Sequence, residues 1–222
     1  MQKKLGLKLP FIHLEYELVS DLWRNCPNRE IAIQKKIDSI KLCASEGVNN
    51  VVIHPSDYRE PETDFDWQIG LESFQKLAEV ASINEVKISL ENLTGNVPLL
   101  EFLLDNIKSQ WVGLCYDCGH HYYHSPKINF LEKYEGRVFA VHLQDNCLEH
   151  DMHLLPGDGK IDFSLVIKQL ETSLYSGTLM LEAHRYGPTQ KRCDDKRYAG
   201  MPLMEFLNRA KICGEQLLVW GG

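Results

Sequence analysis

Six short apolar runs in this chain each stop on a side chain able to hold a metal ion: FIH at His13, VVIH at His54, ISLE at Glu91, GLCYD at Asp117, FAVH at His142 and LMLE at Glu182. Between the runs, apolar residues recur at helical spacing, as Ile33, Ile37, Ile40 and Cys43/Ala44 do between Arg29 and Glu46. Strands alternating with helices call for parallel pairing through crossover helices, hence an α/β sheet or a βα barrel. In such a sheet the carboxyl ends of all strands lie on one face, so the six donors are expected around one mouth.

In order, the pattern predicts strands over 7–13, 48–54, 86–91, 112–117, 138–142 and 178–182. Helices are expected over 29–46, 68–82, 97–108, 130–134, from Phe163 to about Leu174, and from Pro202 to about Gln216. The reading is therefore a (β/α) TIM-type barrel in one domain, 1–222. It is incomplete, because a full eight-stranded barrel takes about 250 residues. The two missing βα units are placed at the front.

At 222 residues, 44% hydrophobic and 25% charged, the chain can bury one sizeable core. Its net charge of -7 and the lack of a dense basic stretch argue against a nucleic-acid partner. No apolar run approaches the roughly 18 residues of a membrane span, and MQKKLGLKLP lacks the apolar core of a signal peptide, so a cytoplasmic protein with no membrane partner is expected. Seven irregularly spaced cysteines suit a reducing compartment. Cys115 and Cys118 form a CxxC without a second pair, and are read as reduced thiols in or beside a strand rather than as a redox pair at a helix start.

The densest chemistry lies in VFAVHLQDNCLEHDMHLLPGDGKIDF, from Val138 to Phe163, where His142 is followed by Asp145, His150, Asp151 and His153. Neutral imidazole and carboxylate are donors that zinc, manganese, iron and magnesium accept. PGDG then marks a turn before a helix capped by Asp162 or Ser164. His120, three residues after Asp117, and the Asp151/His153 pair add three further donors. A histidine met alone is commonly a surface or hydrogen-bonded residue, and His121, His124 and His150 are assigned to that class. Six polar strand ends on one face need a joint explanation, because unpaired buried charge there costs several kcal/mol each.

ISLEN followed by LTGN, then CYDCGH, VHLQDN, DMHLLPGDGKIDF and LMLEAH, resemble the xylose isomerase-like barrel superfamily, which holds sugar-phosphate isomerases and epimerases together with endonuclease IV. The resemblance runs from about Lys8 to His184 and enters the family pattern at its third strand. It implies a barrel with metal at the carboxyl face. Its sugar epimerase branch implies one divalent ion on Glu91, Asp117, His142 and Glu182, with His120 on the substrate. That branch's arginine beyond the strand-end histidine is absent here, Leu148 falling near its position. The endonuclease IV branch implies up to three zinc ions on His13, His54, Glu91, Asp117, His120, His142, Asp151, His153 and Glu182.

The expectation that follows is a metal-dependent isomerase or epimerase for a small sugar or sugar phosphate. Glu91 and Glu182 are its catalytic pair, exchanging a carbon-bound proton through an enediolate. His120, His153 and His184 bind substrate, and Asp145 and Asn146 stand behind the ligands. The cofactor is one to three divalent ions, Mn or Zn before Mg, Co or Fe. The alternatives are a multinuclear zinc phosphoesterase and a truncated barrel without activity. Open sheet edges would call for a homodimer, with residues 7–13 as the contact, and specificity is expected in loops 56–67 and 186–200.

Overall fold

A computed structural model describes residues 6, 8–57, 63–185 and 197–220, the side chain of Trp220 excepted. The six expected strands form one sheet in the order β1 to β6: Ile12–His13 (β1), Asn50–Ile53 (β2), Lys87–Glu91 (β3), Val112–Asp117 (β4), Val138–Leu143 (β5) and Met180–Leu181 (β6). Six parallel strands with intervening helices make this an incomplete TIM-type barrel. The chain clusters into two compact units, 1–115 and 116–222, with β4 running through the boundary.

In the first unit, β2 is buried at every position and pairs in parallel with β1 and β3. The all-apolar Val51-Val52-Ile53 core is what a strand covered on both faces requires. Its one polar member, Asn50, accepts from Ser89 Oγ at 2.7 Å, which keeps the amide from being stranded in the sheet. Helix α1 (Asn28–Ser45) buries Ala32, Ile33, Ile40 and Cys43, and Gly47, at φ +77°, ends it in the left-handed region. Helix α2 (Trp67–Ile83) starts at Asp66, whose carboxylate accepts from Gln68 N and Ile69 N at 2.9 and 3.1 Å. Helix α3 is Val97–Asn106.

A 3-10 turn over Val19–Trp23, which the sequence pattern did not announce, buries Trp23 completely. The indole donates to Pro55 O at 2.7 Å and lies against Gly70, where a Cβ would come within 2.0 Å of the ring.

In the second unit, α4 (Cys118–His124) and α5 (Phe130–Lys133) lead to β5, which pairs in parallel with β6. Asp162 caps α6 (Phe163–Thr172), accepting from Ser164 N and Leu165 N. Helix α7 (Leu203–Trp220) places Phe206 with Leu154, Leu155 and Tyr198 in one apolar cluster.

Two strands are shorter than the pattern suggested. Among described residues the expected 7–13 strand is reduced to Ile12–His13, with Lys8 and Leu9 exposed and Pro10 offering no N–H to a ladder. The expected 178–182 strand is reduced to Met180–Leu181, and Thr178 gives its carbonyl to Tyr175 Oη instead. Of the two loops expected to carry specificity, 56–67 and 186–200, residues 58–62 and 186–196 lie outside the described residues.

Candidate metal centre

In the first unit the parallel register, continued one step beyond Ile53↔Leu90, brings His54 level with Glu91. His13, at the end of β1, stands opposite Val52. Glu91 Oε2 lies 3.0 Å from His13 Nε2 and 3.3 Å from His54 Nε2, and the carboxylate is 1% exposed. His13 Nδ1–H donates to Leu14 O at 2.8 Å, so its neutral form turns the Nε2 lone pair toward a carboxylate oxygen. Two lone pairs at that distance repel, and the contact needs a second proton or a cation between them. Tyr16 stacks parallel to the His54 ring at 5.8 Å and is 37% exposed. It is a wall of this group that no local pattern had singled out.

The second unit repeats the arrangement. Asp151 Oδ2 lies 3.2 Å from His153 Nε2 and 3.5 Å from His120 Nε2. His153 Nδ1–H donates to Glu182 O at 2.9 Å, so Nε2 again offers a lone pair to a carboxylate. Burial alone would pull the His153 pKa down; the hydrogen bond and charge of Asp151, followed by Glu182 and Asp117, outweigh it and raise it to about 9. Burial likewise pushes Asp151 up, but hydrogen bonds to His120 and His153 hold it well below the usual carboxylate range. This is a site that demands positive charge, as a proton or as a metal ion. His184 stacks on His153 with ring centres 4.1 Å apart and planes within 8°.

Beside this group, His142 Nδ1 lies 3.3 Å from Glu182 Oε2 and 4.0 Å from Asp117 Oδ2. His142 is 3% and Asp117 0% exposed.

All these distances fit shared coordination. Zinc holds imidazole nitrogen and carboxylate oxygen at about 2.0–2.2 Å in a tetrahedron, which sets two donors of one ion about 3.4 Å apart. The donor atoms of His13, His54 and Glu91 lie within 4.8 Å of one another, as do those of His120, Asp151 and His153. The residues present therefore fit a divalent metal.

Of the neighbouring residues, Asp145 is not poised behind a ligand. Its carboxylate accepts from Asn146 N, Gly157 N, Gly159 N and Ile161 N at 2.8, 2.9, 2.7 and 3.1 Å, and so builds the PGDG turn. Asn146 donates to Gly119 O at 3.0 Å. His121 is buried against Tyr116, whose hydroxyl donates to Nδ1 at 2.6 Å, and His150 is exposed, both in keeping with ordinary roles. Cys115 lies in β4 and Cys118 directly follows that strand, as expected, though Cys118 also opens α4. The sequence pattern placed no helix here; the signal that could have found it is Asp117 as N-cap, accepting from His120 N at 2.7 Å. The Cys118 thiol is shielded from solvent. It is fully buried, donates to Gln144 O at 3.3 Å, and has its pKa driven up by burial.

With this geometry in place, the chain can be set beside known proteins. The family described as "Xylose isomerase-like TIM barrel" matches residues 1–201. The chain belongs to this family. Its members include enzymes: inosose dehydratase of Salmonella agona is 26% identical over 171 residues, covering 65% of this chain and 57% of the relative. The chain spans a little over half the length of the curated relatives it matches first. Among solved structures, D-psicose 3-epimerase with D-tagatose from Clostridium cellulolyticum H10 superposes with a TM-score of 0.81 at 17% identity, covering 99% of this chain and 80% of that one. The IOLI protein with a bound zinc atom gives 0.71 at 18% identity, covering 98% and 90%. At these identities the two structures establish the fold alone. Among the described residues, no helix is long and apolar enough to cross a membrane.

Proposed function

We propose that this xylose isomerase-like chain is a metal-dependent isomerase or epimerase acting on a small sugar or sugar phosphate, with Glu91, Asp117, His142 and Glu182 as ligands of one divalent ion. The observation that carries the reading is His142, a buried imidazole whose Nδ1 faces two carboxylates at 3.3 and 4.0 Å. In a protein without a cation, Asp117 and Glu182 would crowd negative charge into a buried site. Family membership supports the same assignment.

A divalent ion supplies charge that polarises a substrate carbonyl. That acidifies the neighbouring C–H, and one of Glu91 and Glu182 takes this proton while the other returns a proton to the enediolate. Isomerisation and epimerisation differ only in which carbon, or which face of one carbon, receives it. His120, His153 and His184 orient substrate hydroxyls. The test is metal analysis combined with incubation of ketohexoses and pentoses in D2O. Deuterium should enter at the carbon next to the carbonyl, and Glu91→Gln or Glu182→Gln should reduce exchange by at least a hundredfold. No exchange into any sugar by fully metallated protein would defeat the proposal and leave the phosphoesterase below or an incomplete barrel without activity.

A multinuclear phosphoesterase is the second reading, favoured by the two three-donor groups, His13/His54/Glu91 and His120/Asp151/His153. Two or three tightly held zinc ions together with cleavage of an abasic-site oligonucleotide would establish it over the isomerase.

A further inference from the structure

Gln144 sits one residue beyond β5, is 0% exposed, and belongs to no donor group. Its Nε2 donates to Asp151 Oδ1 at 2.9 Å and, at a longer 3.4 Å, to Asp117 Oδ1. Asp117 faces His142 and also lies 3.5 Å from His120 Nδ1, and Asp151 faces His120 and His153. Asp151 meets the amide through Oδ1 and both imidazoles through Oδ2, while Asp117 Oδ1 meets the amide, His120 N at 2.7 Å and His120 Nδ1 at 3.5 Å, and its Oδ2 meets His142 Nδ1. One amide thus bonds Oδ1 of both carboxylates, joined at Asp117 by His120 N, and leaves Oδ2 of each toward a donor imidazole.

Two further observations show that the amide is held there by design of the packing. Gly119 presents only hydrogen to it, and a Cβ at that position would lie 2.1 Å from Gln144 Cδ and 2.3 Å from Nε2. Gln144 Oε1 is buried and accepts no hydrogen bond among the described residues. An unpaired buried acceptor costs about 1–3 kcal/mol, so the position of this side chain is maintained at the expense of stability, as is common where function fixes a group.

We propose that Gln144 is a positioning residue for metal binding, orienting Asp117 and Asp151 together so that its loss weakens both donor groups at once. The inference rests on the metal reading above. Partners that orient ligating carboxylates commonly change metal affinity by about 10- to 100-fold.

Co2+ binding, followed by calorimetry and by its visible absorption, tests this on the full chain. Asp151→Asn disables one group and allows the Asp117 group to be read alone. Gln144→Met keeps the length of the side chain without the amide, and Gly119→Ala displaces the amide without removing any polar group. Both should weaken Co2+ binding about tenfold or more in the wild-type background. Gln144→Met should do the same for the remaining ion in the Asp151→Asn background. The near-ultraviolet circular dichroism and melting temperature of the metal-free variants should stay near wild type, which separates positioning from a folding defect. If the wild-type chain takes up no Co2+, the metal reading falls and this inference with it. If wild type binds Co2+ and the two variants bind it equally well, or if Gln144→Met has no effect in the Asp151→Asn background, this inference alone is overturned.

Discussion

A buried histidine kept neutral makes a protein sensitive to acid, and His121 is one. It lies 7% exposed against the Tyr116 hydroxyl, and burial lowers its pKa from 6.5 to about 4. The unfolded chain therefore binds more protons than the folded one between those values. The stability contributed is complete above pH 6.5 and drains away as pH falls toward 4. Urea unfolding at a series of pH values should show wild type losing more stability over this window than His121→Phe, by about 3 kcal/mol at most. The substitution also strands the Tyr116 hydroxyl, an offset that displaces the variant's whole curve without changing its slope. Parallel curves would show that His121 does not titrate in this way.

Elements carry the donors because strands end where they do, but the long loop after β5 is gathered largely around one carboxylate. Asp145 gathers four backbone N–H groups from Asn146, Gly157, Gly159 and Ile161, and pairs in an antiparallel bridge with Leu154. Gly159 must be glycine, since a Cβ there would meet Asp145 Oδ1 at 2.3 Å. Hydrogen bonds to a charged group contribute about 1.5–3 kcal/mol each when lost singly. Asp145→Ala should therefore cost about 3 kcal/mol or more in chemical denaturation. It should also loosen the 146–161 segment in hydrogen exchange, releasing Asp151 and His153 from their places. A variant with full stability and unchanged exchange in 146–161 would contradict this account.

At the scale of the whole molecule, carboxylates and imidazoles have been collected at the cost of charge repulsion and desolvation, and a bound cation relieves both. Zn2+ or Mn2+ at a hundred times its dissociation constant should stabilise the fold by about 2.7 kcal/mol, and a chelator should remove that gain. Thermal melts with and without metal and EDTA measure it; identical melts would show that the donor groups take no ion in the folded state.

Much of this molecule could be read before any coordinates. The order of the strands and of most helices, the donors closing each strand and the cap Asp162 depend on neighbours a few residues apart, and local propensity and periodicity report such neighbours directly. β1 and β6 were overestimated because strand length depends on a partner ladder, which propensity does not contain. Gln144, Tyr16 and the true task of Asp145 were invisible for a related reason. A buried amide bonded to residues 7 and 27 positions away, or a carboxylate closing a turn 16 residues on, has no periodic signature. Sequence by itself determined which side chains could bind a cation and on which strands they ride, since short-range backbone physics decides both. Only the tertiary structure decided which oxygen faces which imidazole and which neighbour holds it there, because those choices arise where distant segments exclude water from one another.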